Sequence, residues 1–290
     1  MFIDVHAHVY KYQYPTENGG MLFITLGELI KKHDEIGIDR AILLPLVSSE
    51  VYVPQSVGEI IDIANESNGR FIPYCNVDPR VYSNSSDAPI GRLLEYYKEL
   101  GCRGIGEVLP NLPWLDSRMQ NLLKHAEQTK FPLIFDMTGN FNHGYGIYDD
   151  AGMPQLEACL EKFPDLLFVG HGPAFWAEIS VLRNPEDRYG YPNYPVIKEG
   201  RVPQLLRQYS NLAVELSAGS GANALTRDCG YAVSFLNEFN DKIMFGTDIC
   251  AKSNEYPTAQ FLRELKVSGK ISAETFEKIA RGNAIRLLGI

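Results

Sequence analysis

Apolar residues fall along this chain in two alternating rhythms. Short, nearly continuous apolar runs, stopped by glycine, proline or aspartate, read as strands covered on both faces. Longer stretches with apolar residues three and four apart read as amphipathic helices. Residues 2–9 form the first run, and 26–36 have helical spacing up to Gly37. Runs at 40–46, 71–77 and 102–109 are followed by helical stretches at 57–67, 90–100 and 119–128. The run at 132–137 leads through a glycine-rich loop, 138–153, to a helix over 155–163. Residues 166–171 are the sixth strand, with helices over 175–182 and 204–209; 212–216 are the seventh, with helix through most of 223–240. Residues 243–248 are the eighth, and helices at 258–265, 272–280 and 283–288 close the chain, with Ser272 as an N-cap. Two stretches break the rhythm: 10–25, a loop with Gly19-Gly20, and 183–202, rich in proline and tyrosine.

Eight strand–helix units are the number of a (β/α)8 TIM barrel, an α/β fold expected here as one domain over 1–290 with an insertion near 183–202. An open doubly wound sheet is the alternative. It ranks second because no glycine fingerprint follows the first strand.

Composition narrows the partners. A net charge of −9 with no basic run argues against nucleic acid and against an anionic membrane surface. No stretch is long and apolar enough to span a bilayer, and no basic-then-apolar leader precedes Phe2. Cys75, Cys102, Cys159, Cys229 and Cys250 are scattered and odd in number, which suits a reducing, cytoplasmic setting and disfavours a thiolate zinc site. The expected partner is a small-molecule substrate. The 183–202 segment would cover the pocket, form a contact in a homo-oligomer, or be a plain surface insertion.

Candidate chemistry sits where the strands end. Strand alternation puts Asp4, His6 and His8 on one side of the first strand, so two imidazoles could converge on one cation. Glu107 lies near the end of the fourth strand, Asp136 ends the fifth, His171 the sixth, Glu215 lies in the seventh and Asp248 ends the eighth. In a barrel these ends share a face, and closure brings strand eight beside strand one. Carboxylates crowded at an apolar mouth repel one another, and a divalent cation relieves this. Imidazoles with carboxylates suit Zn²⁺, Mn²⁺ or Fe²⁺. Glu215 is expected as a hydrogen-bonding group behind the ligands, Asp4 as an orienter of an imidazole or as a residue facing elsewhere, and His33 and His125 as surface or structural. His143, in the glycine-rich loop, is a substrate contact or merely exposed; Trp176 is a further candidate contact.

Asp4-Val5-His6-Ala7-His8, Gly104-Ile105-Gly106-Glu107, Pro132–Asp136, Leu166–Gly172, Phe245-Gly246-Thr247-Asp248 and Ile279–Ala284 together resemble the amidohydrolase superfamily, in its amidohydrolase-related branch. The resemblance covers nearly the whole chain. It implies a metal held by His6, His8 and Asp248, and a catalytic or ligating His171. The branch commonly has a histidine ending strand five, where this chain has Asp136. Either Asp136 replaces it, Glu107 takes over, or the site is weakened. Glu107 in place of a lysine on strand four favours one metal ion, Zn²⁺ first, with Mn²⁺ or Fe²⁺ as alternatives. The activity implied first is metal-dependent hydrolysis of a lactone, ester or amide, with Asp248 taking the water proton and His171 stabilising the oxyanion. The alternative is non-oxidative decarboxylation of an aromatic or unsaturated acid, with Asp248 or His171 delivering a proton to carbon. Residues 104–107 also resemble TatD-type phosphoesterases, and a non-catalytic binding barrel is a fourth reading.

Overall fold

The computed structural model describes residues 1–16, 18–51 and 53–290. Eight strands follow one another as parallel neighbours: β1 (Phe2–Ala7), β2 (Ile38–Leu43), β3 (Phe71–Pro73), β4 (Ile105–Val108), β5 (Leu133–Thr138), β6 (Phe168–His171), β7 (Leu212–Glu215) and β8 (Ile243–Met244). Regular ladders join β1 to β3 and β4 to β8. Two seams close the ring. At one, the Cys75 N–H donates to Gly104 (3.0 Å) and the Gly106 N–H to Cys75 (2.9 Å). At the other, the Val5 N–H donates to Phe245 (3.0 Å) and the His8 N–H to Ile249 (3.0 Å). The result is a (β/α)8 barrel.

Helices α1 (Leu26–Ile36), α2 (Val57–Glu66), α3 (Ile90–Glu99), α4 (Ser117–Thr129) and α5 (Pro154–Lys162) each link consecutive strands. α1 starts on a capping box, Thr25 with Glu28, and stops at Gly37, whose φ of 83° a side chain would resist. Further round lie α6 (Pro173–Ala177), α7 (Arg201–Gln208), α8 (Ala218–Thr226), α9 (Cys229–Glu238), α10 (Pro257–Val267), α11 (Ala273–Glu277) and α12 (Asn283–Leu288). Ser272 caps α11 by accepting from the Thr275 N–H (2.9 Å).

Some boundaries differ from the sequence expectation for physical reasons. The regular ladders of β3 and β8 are shorter than the apolar runs, and pairing beyond them continues as the isolated bridges Cys75–Ile105 and Ala7–Ile249. The single helix expected within 223–240 is two helices, and α8 begins earlier, at Ala218; the Asp228 carboxylate starts α9 by accepting from the Tyr231 N–H (3.0 Å). The helix expected over 175–182 is the short α6, entered through Pro173.

Ile3, Val5, Ile42, Ile134, Val169 and Met244 fill the barrel interior, and Ala284 and Leu288 of α12 pack onto this cluster. A second, larger cluster includes outward-facing strand residues and the buried faces of the helices. The polar strand ends therefore have one face left to them. The 183–202 segment lies against the barrel, with Arg188 buried on Glu178 (2.9 Å) and donating to the Asp149 carbonyl (2.8 Å). No helix among the described residues is long and apolar enough to cross a membrane.

Candidate metal centre and its cavity

The end of β1 presents His6 and His8, and their hydrogen bonds fix which nitrogen carries the proton. The His8 Nδ1–H donates to the Leu44 carbonyl (2.8 Å), which can only accept. The His6 Nδ1–H donates to Glu215 Oε1 (3.0 Å). Both Nε2 atoms are then lone pairs, and they face each other at 3.1 Å. Asp248 Oδ1 stands 3.1 Å from His8 Nε2 and 3.6 Å from His6 Nε2. Glu107 Oε2 is 3.5 Å from both. Four acceptors so arranged repel unless a positive charge lies among them. Such separations are those of donor atoms each about 2.1 Å from a shared centre. The donor set and its spacing fit a divalent cation.

A second layer holds this one. Glu215, fully buried, takes the His171 Nδ1–H on Oε1 (2.6 Å) beside that of His6, and the Ser217 N–H on Oε2 (2.7 Å). Burial alone would raise its pKa, but His171 and His6 hold it far below the usual carboxylate range. For His171 burial opposes the charge, and Glu215 prevails, pushing it up to about 9. Only glycine fits at Gly246, since a Cβ there would fall 2.4 Å from Glu215 Oε2. These pairings follow the orienting contacts seen around histidine ligands.

Asp136 and His171 are register partners on β5 and β6. His171 Nε2 lies 3.7 Å from Glu107 Oε1 and 3.8 Å from Asp136 Oδ2. Glu107 thus faces the β1 imidazoles with one oxygen and His171 with the other. Asp136 groups with Glu107 and His171, whereas His6 and His8 group with Asp248. Burial first and Glu107 second push the Asp136 carboxyl up; for Glu107 burial also pushes upward, but His6, His8 and His171 together hold it well below the usual range. Neighbouring acids are driven apart in this way when one is to stay protonated. Gly146 and Gly172, both at positive φ, let the backbone close on Asp136: a Cβ on either would meet Oδ1 at 2.8 Å.

Of the two courses open to Asp4, it faces elsewhere. Alternation would place it beside His6 and His8, but the β1 register is irregular between Asp4 and Ala7, and Asp4 turns the other way. It accepts from the Thr247 N–H (2.9 Å), the Thr247 hydroxyl (2.5 Å) and the His6 N–H (3.0 Å). His33 of α1, buried and not on the surface, lies 3.3 Å away. Asp4 therefore ties β1 to the chain after β8. The next residue, Asp248, adopts φ 56°, strained for a side-chain-bearing residue, and donates its N–H to the His6 carbonyl (2.7 Å).

Above the cluster opens a cavity of about 260 Å³. Its floor is His8, Glu107, Asp136 and Asp248; Leu22, Phe23, Leu46, Val51, Leu109, Tyr145 and Cys250 complete it. Tyr145 keeps about half its surface exposed (53%) at the mouth; partial desolvation of the phenol, with Asp136 and Glu107 nearby, raises its pKa. Four larger surface grooves, of about 540, 540, 550 and 640 Å³, contain none of the clustered side chains. His143 is exposed, and the cavity lining takes Tyr145 from its loop instead. Trp176 is buried against Phe175 (5.5 Å between rings) and Phe235 (6.1 Å), a core position that corrects its expectation as a substrate contact. Helical spacing could not tell these roles apart. The only sequence signal for Tyr145 is its place between Gly144 and Gly146.

A sequence profile for the family described as Amidohydrolase matches residues 3–290. None of the curated proteins compared matches the chain. Among solved structures, an uncharacterised TIM-barrel protein from Bordetella bronchiseptica is similar with a TM-score of 0.63 and 17% identity, over 91% of this chain and 83% of that one. A probable 2-pyrone-4,6-dicarboxylic acid hydrolase from Acinetobacter baumannii, with citric acid bound, gives 0.61 and 14%, over 100% and 99%. A 5-carboxyvanillate decarboxylase from Sphingomonas paucimobilis gives 0.58 and 17%, over 92% and 84%. At these identities the likeness is one of fold.

Proposed function

The chain belongs to the amidohydrolase family, and from that membership we propose that it is a metal-dependent enzyme catalysing the non-oxidative decarboxylation of a small carboxylic acid. The observation that carries this reading is an apolar cavity set directly on a cluster of metal-type donors, with Asp248 opening into it. His6, His8 and Asp248 would hold one divalent ion, with Glu107 as the fourth donor. When bound, that ion supplies the positive charge that fixes a substrate oxygen and stabilises negative charge building there. Asp248 has the most exposed side chain of the cluster (27%) and can exchange protons with solvent. In its protonated form it gives a proton to the carbon bearing the carboxylate. The bond from that carbon to the carboxylate then breaks, its electron pair returns to the carbon, and CO₂ leaves. The balance is R–CO₂⁻ + H⁺ → R–H + CO₂. His171 lies deeper, behind Glu107 and Asp136, as a positioning group. A decarboxylase among the similar folds supports the same reading.

Hydrolysis of a neutral lactone, ester or amide is the second reading, favoured by the acidic floor, which a neutral carbonyl compound enters without charge repulsion. A phosphoester dianion fits such a floor poorly.

The test is to load the protein with Mn²⁺ or Zn²⁺ and screen aromatic and unsaturated acids, lactones and esters in heavy-oxygen water. Decarboxylation predicts released CO₂ and, in D₂O, one deuterium at the vacated carbon. Heavy oxygen in the product without CO₂ would replace this reading with hydrolysis. Tight substrate binding without turnover would leave a binding barrel.

A further inference from the structure

The cavity above the cluster carries charge on one side only. Glu107, Asp136 and Asp248 form its floor, and Leu22, Phe23, Leu46, Val51 and Leu109 form its wall. Among the described residues lining it none is lysine or arginine. Arg80 and Arg188 on the surrounding loops are held by carboxylates outside the cavity, and Lys252, largely exposed, meets Glu28 at the surface. Arg80 is gripped by Glu50 (2.6 and 2.7 Å) and by Asp78 (2.6 and 2.8 Å).

Among the described residues lining the wall, Tyr145 carries a hydroxyl, and its loop is clasped in place. The Gly146 N–H donates to the Leu109 carbonyl (2.7 Å). The Asn111 amide donates to the carbonyls of Asn140 (2.9 Å) and Gly146 (3.3 Å) and accepts from the Asn142 N–H (2.6 Å). Tyr145, between these points, is therefore held at the mouth.

We propose that this cavity selects an acid with one carboxylate on a small, flat, apolar body, rejects a second carboxylate, and uses Tyr145 to recognise a neutral hydroxyl on that body. The inference rests on the decarboxylase reading, because it directs the single carboxylate to the metal centre. The cavity, about 260 Å³, is below the roughly 300–1,000 Å³ of sites for drug-sized ligands, and suits one ring. A second carboxylate would lie against leucine and valine with no partner for its charge, the costliest kind of burial. A hydroxyl at the same place is neutral and finds the Tyr145 phenol. The chain is thereby set apart from a pocket for the dicarboxylic acid that names one of its structural relatives.

The test uses the Mn²⁺-loaded protein and three probes that differ at one ring position: benzoate, 3-hydroxybenzoate and benzene-1,3-dicarboxylate. Calorimetric titration reads affinity, without turnover. The dicarboxylate should bind at least about a hundredfold more weakly than benzoate, as expected for an unpaired buried charge. Tyr145→Phe should cost 3-hydroxybenzoate about tenfold, the scale of one hydrogen bond left unmade, and leave benzoate unchanged. Leu46→Arg should restore dicarboxylate binding, and Val51→Lys serves the same purpose if the first variant does not fold. Equal or tighter binding of the dicarboxylate, no selective loss in Tyr145→Phe, or no binding of any probe would overturn the proposal. The predicted affinity order with no CO₂ from any acid screened would uphold this selectivity and sink the decarboxylase reading. CO₂ released from a dicarboxylic acid would do the reverse.

Discussion

At the scale of the residue, Asp248 is the side chain on which metal holding and proton transfer meet. One oxygen faces the β1 imidazoles, and the residue also lines the cavity. Replacing it with asparagine keeps an oxygen for the metal and removes the acid. Asp248→Asn should therefore retain most of its metal while turnover falls by roughly 10²-fold or more, the scale of lost general acid–base catalysis. His6→Ala, which removes an imidazole donor and frees Glu215 of one partner, should lose metal and turnover together. Metal content and rate measured on the same preparations separate the two effects. Near-normal turnover in Asp248→Asn would remove this aspartate from the chemistry.

At the scale of the element, the join between β1 and β8 sets the geometry of the site. The Thr247 hydroxyl bonds the buried Asp4 carboxylate, and Thr247→Val, similar in shape, leaves that oxygen short of a donor. Urea unfolding of the metal-free variant should show a loss of about 1–3 kcal/mol, the cost of an unsatisfied buried group. Thr247→Ser, which keeps the hydroxyl, should recover most of it; an unchanged valine variant would mean the hydroxyl is dispensable to closure. Element scale also explains what could be read from the sequence. Eight apolar runs and the polar residues at their ends were legible, because strand burial and barrel closure each leave a mark in composition. The face of Asp4 was not, because one irregularity in β1 breaks the parity on which the reading depends. The start of α8 was not, because Ala218-Gly219-Ser220-Gly221-Ala222 has no apolar period and is helical through its packing. Tyr145 was hidden by the same limit: which loop residue faces a cavity is decided by clasps such as Asn111, far away in sequence.

At the scale of the whole molecule, four buried or half-buried acidic side chains meet at one end of the barrel, and bound metal should lend the fold stability in proportion to its affinity. Stripping the metal with a chelator should lower the melting temperature, and adding back Zn²⁺ or Mn²⁺ should restore it. Metal loss with no shift in melting would show that the imidazoles and carboxylates compensate one another unaided. The closure through Asp4 and Thr247 also bears on how the protein comes into being. Its groups lie 243 residues apart in the chain, and His6 and His8 are synthesised well before Asp248. Throughout elongation β1 has one open edge, and its imidazoles wait for partners not yet made. The contact that completes the centre thus closes one of the longest loops of the chain. A nascent or truncated chain lacking that last strand carries no finished site, so metal capture marks a chain that has been made through to its eighth strand.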